Sequence, residues 1–285
     1  MNAKKLYTGF IQKLTLDESA EEIQQLGFRV MEHKLGLSAT DVLMEKDIPV
    51  PDEILAALDN IANRLNNHEP VQYILAEEEF LGKRFIVTPA VLIPRPETEE
   101  LVHLASSHIA GSGDTFKILD IGTGSGCIAV SLRLLFPQAE VYASDASEDA
   151  LTIAQKNANR HEARVNLFKH DILNEDILVS ELDIIVSNPP YVAQHEKEQM
   201  QQHVLAHEPH LALFVPDNDP LIFYKAIALR GKRALKSGGK IVVEINALYG
   251  AQIVSVFESE GYSGVSISKD INGQERFVCA TFNGA

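Results

Sequence analysis

From residue 117 onward the chain alternates short apolar strands with helices, and the first strand runs into a glycine-rich turn. Periodicity predicts strands over 117–121, 140–144, 165–169, 182–187 and 239–245, and helices over 126–136, 147–160, 221–235 and 248–260. Alternation of this kind implies a mostly parallel sheet covered by helices on both faces. Two closing strands, 264–268 and 276–282, have no helix between them, which predicts a hairpin and one antiparallel strand. The fold class is therefore α/β.

The region before this alternation is different. Ala20, Ile23, Leu26 and Val30 recur at helical spacing after Asp17, read as an N-cap, and Ile54, Leu58, Ile61 and Leu65 do so after Pro51-Asp52. Residues 1–69 thus read as a small helical bundle. Residues 70–96 read as an ordered connector, with two short strands around Gly82 and an extended run into Pro94 and Pro96, because each proline restricts its predecessor. The third segment, 97–285, opens on a helix begun by Glu97-Thr98-Glu99-Glu100. Glu77-Glu78-Glu79 reads as a solvated face.

A chain of 285 residues, 45% hydrophobic, suits two packed domains. Its net charge of −15 repels a phosphate backbone, so no direct nucleic-acid partner is expected. Cys127 and Cys279 offer neither a disulfide framework nor zinc spacing. No signal-peptide run opens the chain and no apolar stretch reaches membrane-spanning length. The expectation is a soluble cytoplasmic protein with no membrane partner.

The turn Gly122-Thr123-Gly124-Ser125-Gly126 sits at the carboxyl end of its strand, where open α/β sheets bind ligands. Cys127 stands where a nicotinamide fingerprint would have its third glycine, which favours an adenosyl cofactor without a pyrophosphate. Asp145, ending the next strand, can accept both hydroxyls of a ribose. Asp171, after the third strand, either faces an adenine amino group or caps its own turn.

The strand over 182–187 ends in Asn188-Pro189-Pro190-Tyr191. A planar amide nitrogen is a poor nucleophile because its lone pair is shared with its carbonyl. Acceptors for both of its N–H groups draw electron density to nitrogen and fix its direction. The Asn188 side-chain oxygen is one such acceptor and the Pro189 carbonyl the natural second. The prolines stiffen the loop and add no competing donors. Tyr191 can stack on the flat substrate group. This chemistry is methyl transfer from S-adenosylmethionine to an amide or amino nitrogen, governed by positioning.

Taken together with Gln72-Tyr73-Ile74-Leu75, Leu92-Ile93-Pro94-Arg95-Pro96-Glu97-Thr98-Glu99, Glu208-Pro209 and Asp270-Ile271-Asn272-Gly273, these motifs make the chain resemble the HemK/PrmC family, the N5-glutamine methyltransferases of peptide chain release factors. The resemblance covers nearly the whole chain. It implies a seven-stranded, Rossmann-like S-adenosylmethionine-dependent methyltransferase domain, with a small N-terminal helical bundle for substrate recognition and a β-hairpin connector. It implies cofactor contacts from Gly122 through Gly126, Asp145, Asp171, Ile172 and Asn188. It implies that Asn188 through Tyr191 hold the glutamine of the Gly-Gly-Gln loop of class 1 release factors, the protein partner, with Arg95 and Glu97 shaping the pocket mouth and anchoring the connector. Arg95 also reads as a surface ion pair. Two departures are visible: Ile172 replaces the aromatic residue of many relatives, and Ala76 stands where glycine is frequent.

The tetrapeptide alone is shared with adenine-N6 DNA methyltransferases, and a glutamine in a ribosomal protein is another conceivable target. A cofactor-binding protein without catalysis would predict damage to Asn188, Pro189 or Tyr191, and all are intact. His195, His203, His207 and His210 cluster downstream, but without a complete zinc-ligand motif they read as a polar, substrate-facing segment rather than a metal site.

Overall fold

A computed structural model describes residues 2–109, 116–200 and 202–284. In chain order the elements are α1 (Ala3–Ile11), α2 (Ala20–Leu35), α3 (Ala39–Leu43), α4 (Asp52–Asn66), α5 (Val71–Leu75), β1 (Glu77–Phe80), β2 (Lys83–Ile86), α6 (Pro96–Ile109), β3 (Lys117–Ile121), α7 (Cys127–Leu135), β4 (Glu140–Asp145), α8 (Glu148–Arg160), β5 (Val165–Lys169) and β6 (Leu182–Ser187). There follow β7 (Val192–Ala193), α9 (Gln202–His207), β8 (Phe214–Val215), α10 (Ile222–Ala234), β9 (Leu235–Glu244), α11 (Gly250–Ser259), β10 (Ser263–Lys269) and β11 (Glu275–Thr281). None of the described helices is long and apolar enough to cross a membrane.

The backbone clusters into two compact units, residues 1–77 with 201–207, and residues 78–200 with 208–285. In the first unit, α1 to α5 bury a core that includes Phe10, Val30, Met31, Leu58 and Ile61. The cap of α2 is Ser19, not Asp17: Ser19 and Glu22 form a reciprocal capping box, which satisfies two backbone donors where a lone aspartate would satisfy one. The segment Val71–Leu75, read as connector, is a short helix that ends at Ala76 with φ 57.

The second unit opens on a hairpin of β1, whose first residue Glu77 ends the first unit, and β2, closed by Leu81 and Gly82, both at positive φ. Glu77 through Glu79 are thus strand residues, and only Glu79 among them is exposed. The main sheet has seven strands in the order β10-β11-β9-β6-β3-β4-β5. β3, β4, β5, β6 and β9 pair in parallel, and β11 lies antiparallel between β9 and β10, as the closing hairpin predicts.

Alternation along the strands sorts the two faces. Ile118, Ile184, Val186 and Val242 join Leu101, Val102 and Leu132 in one core. Leu119, Ile121, Ile185, Ile241 and Val243 join Tyr224, Ile227, Ile253 and Phe257 in the other. The α6 and α7 side chains therefore cover one face and those of α10 and α11 the opposite one. The chain runs outward from β3 to β5, then returns to lay β6 on the other side of β3. That reversal is a topological switch point, and a crevice opens beyond the carboxyl ends of its strands.

Candidate active site

Two motifs leave the sheet at the switch point. β3 ends at Ile121 opposite Ser187 of β6, so the glycine turn and the tetrapeptide begin on neighbouring strands, about 4.8 Å apart. The Ser187 hydroxyl donates to the Ile121 carbonyl at 2.6 Å and ties these ends together.

Gly122, Gly124 and Gly126 all take positive φ, at 71°, 54° and 80°. Their roles differ. A Cβ on Gly126 would press on Ala154 of α8 at 3.1 Å, so this glycine serves helix packing. At Gly122 and Gly124 a Cβ would enter space with no atom within 4 Å, which leaves room for a ligand against bare backbone. The Gly124 N–H donates to Asp145 Oδ2 and the Ser147 N–H to Asp145 Oδ1, each at 2.9 Å. Burial pushes the Asp145 carboxyl up. Asp120, fully buried, accepts from the Thr123 hydroxyl and the Ala129 N–H on Oδ2. Its Oδ1 is buried with no partner among the described residues, and burial raises this carboxyl to about 7.

Asn157 of α8 holds the turn from behind. Its Nδ2 donates to the carbonyls of Ser125 (2.8 Å) and Ile86 (2.9 Å), and its Oδ1 accepts from the Ile86 N–H (2.7 Å). Every hydrogen of this buried amide is used, and it joins the glycine turn to the end of β2. Periodicity marks Asn157 only as a polar residue on a helix. Its place on the buried face of α8, with Ala150, Ile153, Ala154 and Ala158, is the signal that could have singled it out.

The tetrapeptide is braced from two sides. Asn188 Nδ2 donates to the Thr98 hydroxyl (3.0 Å), which donates to Glu244 Oε2 (2.9 Å). The Tyr191 hydroxyl donates to Glu244 Oε1 (3.2 Å), and Asn246 Nδ2 donates to the Tyr191 carbonyl (3.4 Å). Neither Asn188 Oδ1 nor the Pro189 carbonyl takes a hydrogen bond from the described residues. Both acceptors expected at this turn are thus available. Burial lifts the Glu244 carboxyl to about 7, against the lowering pull of the Thr98 and Tyr191 hydroxyls and of Arg276. The Tyr191 hydroxyl is also raised, first by burial and then by the nearby Glu244 charge. Thr98, Glu244 and Asn157 carry no role in the sequence reading, because their partners lie far away in the chain.

Arg95 pairs with Glu208, whose side chain is buried and whose other oxygen accepts the Ile93 N–H at 3.3 Å. The ion-pair reading of Arg95 is the one the contacts describe, though its partner is buried. Glu97 makes no hydrogen bond with the described residues, and it acts as a charge that raises Glu244. Anchoring of the hairpin falls instead to Glu99, which accepts the Leu81 N–H at 2.7 Å. Asp171 caps its own turn: Oδ1 accepts from Leu173 N and Oδ2 from Asn174 Nδ2. A carboxylate offers about four acceptor positions, so some remain. Ile172 is buried in the core with Leu119 and Ile121. His195 bonds to Asp217 (2.7 Å) and His210 meets the Phe214 ring edge-on. Among the described residues no group of metal-ligating side chains is assembled.

Comparison with known proteins agrees with this architecture. The PrmC N-terminal domain family matches residues 13–75, and the methyltransferase small domain family matches residues 101–213. The release factor glutamine methyltransferase of Bacteroides thetaiotaomicron is 46% identical over 261 residues, covering 91% of this chain and 93% of that protein. That of Flavobacterium psychrophilum is 40% identical over 284 residues, covering 99% and 100%. The chain belongs to the release factor glutamine methyltransferase family. Among solved structures, a methyltransferase from Pyrococcus furiosus shares the fold, with a TM-score of 0.52 at 19% identity over 80% of this chain and 100% of that one.

The residues of this family member fit an adenosyl ligand. The open space at Gly122 and Gly124 admits a ligand against the backbone, and the half-buried Asp145 carboxylate stands at the end of the adjacent strand, suited to hydroxyl donors. Asp120 Oδ1, without a partner among the described residues, adds a buried polar atom at the base of the turn.

Proposed function

We propose that this chain transfers a methyl group from S-adenosylmethionine to the side-chain amide nitrogen (N5) of the glutamine in the Gly-Gly-Gln loop of class 1 peptide chain release factors. The observation that carries this reading is the pair of acceptors left unengaged by the described residues, Asn188 Oδ1 and the Pro189 carbonyl, beside a glycine turn with room for a ligand. Family membership supports the choice of glutamine among planar nitrogens.

Bound S-adenosylmethionine supplies an electrophilic methyl group on a sulfonium. The chain's own residues do the rest. Gly122 through Gly126 would give it bare backbone, Asp145 would accept its ribose hydroxyls, and Asp171, with Ile172 next to it in the chain, would serve its adenine. Asn188 and Pro189 each accept one N–H of the glutamine amide, which aims the nitrogen and enriches it. Pro189 and Pro190 contribute no N–H that would compete. Tyr191, pinned at hydroxyl and carbonyl, offers a fixed ring for the flat amide. As the nitrogen bonds to the methyl carbon, the carbon–sulfur bond breaks with its electron pair left on sulfur as a neutral thioether; the nitrogen becomes acidic as the new bond forms and releases its proton to water, so no strong base is required. We assign recognition of the protein substrate to the helical unit, and the cytoplasm, where translation ends, as the place of work. The Arg95–Glu208 pair holds the segment leading into α6 at the pocket mouth.

The test is incubation of the purified chain with labelled S-adenosylmethionine and an unmodified release factor, followed by peptide mass spectrometry. Methyl on the loop glutamine, absent from a factor with that glutamine changed to alanine, is the expected result. Cofactor binding without transfer would refute the reading and direct the search to ribosomal proteins.

A further inference from the structure

An amide side chain has two ends of nearly equal shape and opposite function. Turned one way, Asn188 offers the substrate an acceptor. Turned the other way, it meets the substrate N–H with its own N–H, and the site fails. Something must choose.

We propose that Thr98 and Glu244 form a positioning relay that fixes which end of the Asn188 amide serves the substrate. A threonine hydroxyl has one hydrogen to give, and Glu244 in its ionised form has none, so the relay is set when Glu244 is ionised and the assays below are run at pH 8. The Thr98 hydrogen therefore goes to Glu244 Oε2 at 2.9 Å, and the hydroxyl can only accept from Asn188. Asn188 must turn Nδ2 to it, at 3.0 Å, and Oδ1 is left for the substrate. The second oxygen of Glu244 sets the Tyr191 hydroxyl in the same way. One carboxylate thus orients both polar side chains of the tetrapeptide.

The setting supports a device rather than a chance contact. Thr98 and Glu244 are 3% and 1% exposed, so water cannot replace either partner. They come from separate elements, the first turn of α6 and the end of β9, where Glu244 is paired with Phe277 of β11. A buried carboxylate is costly, and apolar residues of similar size would pack more stably. The Tyr224 hydroxyl bonds the Glu244 backbone carbonyl and not its carboxylate, so both oxygens stay committed to Thr98 and Tyr191. Neither Thr98 nor Glu244 is given a contact with substrate or cofactor by the proposed function, so both act through Asn188 and Tyr191.

The rate consequence rests on the proposed function, whereas the orientation of the amide does not, and the experiment reads both. Thr98→Val keeps the side-chain shape and removes the hydroxyl; Thr98→Ser restores it. For the valine variant we expect kcat for release-factor methylation to fall about tenfold, the worth of one hydrogen bond, with KM changed less than about twofold. Affinity for S-adenosylhomocysteine, measured by calorimetry, stays within about twofold of wild type, because no cofactor contact is removed. The serine variant recovers most of the rate, which a packing role for the threonine methyl would not allow. In parallel, the Asn188 side-chain amide is followed by ¹⁵N NMR, assigned by its loss in Asn188→Ala. Its protons are expected to exchange slowly in wild type and the serine variant and quickly in the valine variant. A folded Thr98→Val enzyme with wild-type kcat, or a serine variant as slow as valine, overturns the relay. Should wild type methylate no release factor, the proposed function fails, and the NMR arm still decides the relay: unchanged Asn188 exchange in Thr98→Val overturns it.

Discussion

Replacing Glu244 by glutamine should make the protein more stable at pH 8 while making it a worse enzyme. Burial lifts this carboxyl from 4.5 to about 7. Each unit of such a shift is worth about 1.4 kcal/mol, so ionising Glu244 inside the fold costs about 3 kcal/mol. The raised value means that the folded chain holds the proton more tightly than the unfolded chain. Its contribution to stability is fully present below pH 4.5 and is lost as the pH climbs through about 7. Glutamine has no proton to lose. Its amide accepts from one of Thr98 and Tyr191 but not both, which sets about 1 kcal/mol against the gain at every pH. The assay is urea unfolding of both proteins without cofactor, at steps from pH 4.5 to 8. Asp120, also raised to about 7 by burial, titrates in both and cancels in the difference. The difference between variant and wild type should swing by about 3 kcal/mol in favour of the variant across the window. A flat difference would refute the claim that Glu244 carries a net desolvation penalty. Lowered kcat in the same variant would show that the penalty is borne for function.

Asp145→Asn should weaken S-adenosylhomocysteine binding about 10- to 100-fold by calorimetry, since a charged acceptor of hydrogen bonds is replaced by a neutral one. Far-ultraviolet circular dichroism should be unchanged. Asn157→Ala should destabilise the protein by about 3 kcal/mol in urea, because it strips partners from the half-buried Ile86 and buried Ser125 backbone groups, and should weaken cofactor binding as the glycine turn loosens. Ala76→Gly should raise stability by about 0.5–1 kcal/mol, because Ala76 sits at φ 57, where a Cβ is strained.

The parts of this fold that were legible in the sequence are those set by local rules. The strand over 182–187 and its glycine-turn neighbour over 117–126 announce themselves by apolar runs that stop at residues with special backbone needs. The helix starts were less legible, because capping residues compete: Asp17 and Ser19 both qualify, and only the glutamate three places after Ser19 decides between them. Val71–Leu75 is too short for periodicity to register. The supporting residues of the site were not legible for a different reason. Thr98 and Glu244 lie 146 positions apart, and Ile93 and Glu208 lie 115 apart. No local pattern states which polar residue will meet which once the sheet is assembled. Glu97 illustrates the consequence: it stands one residue from Thr98, yet the helix turns Thr98 into the core and leaves Glu97 without a hydrogen bond among the described residues.

The tetrapeptide can be understood as a way of removing donors. A planar amide offers two hydrogens outward, and a site that aims its nitrogen must face it with acceptors alone. Every backbone N–H near Asn188 is a hazard, and two consecutive prolines remove two of them. The donor end of Asn188 is the remaining hazard, and the Thr98 hydroxyl occupies it. The Tyr191 hydroxyl is a further donor, and Glu244 takes it away. On this view the buried carboxylate at the end of β9 is the sink that draws donors out of the pocket. Its ionised form is the one that serves, because a neutral amide, or the protonated acid, would return one donor to the set. The site then favours a ligand that arrives with hydrogens to give, as an amide does, over one that arrives with lone pairs only.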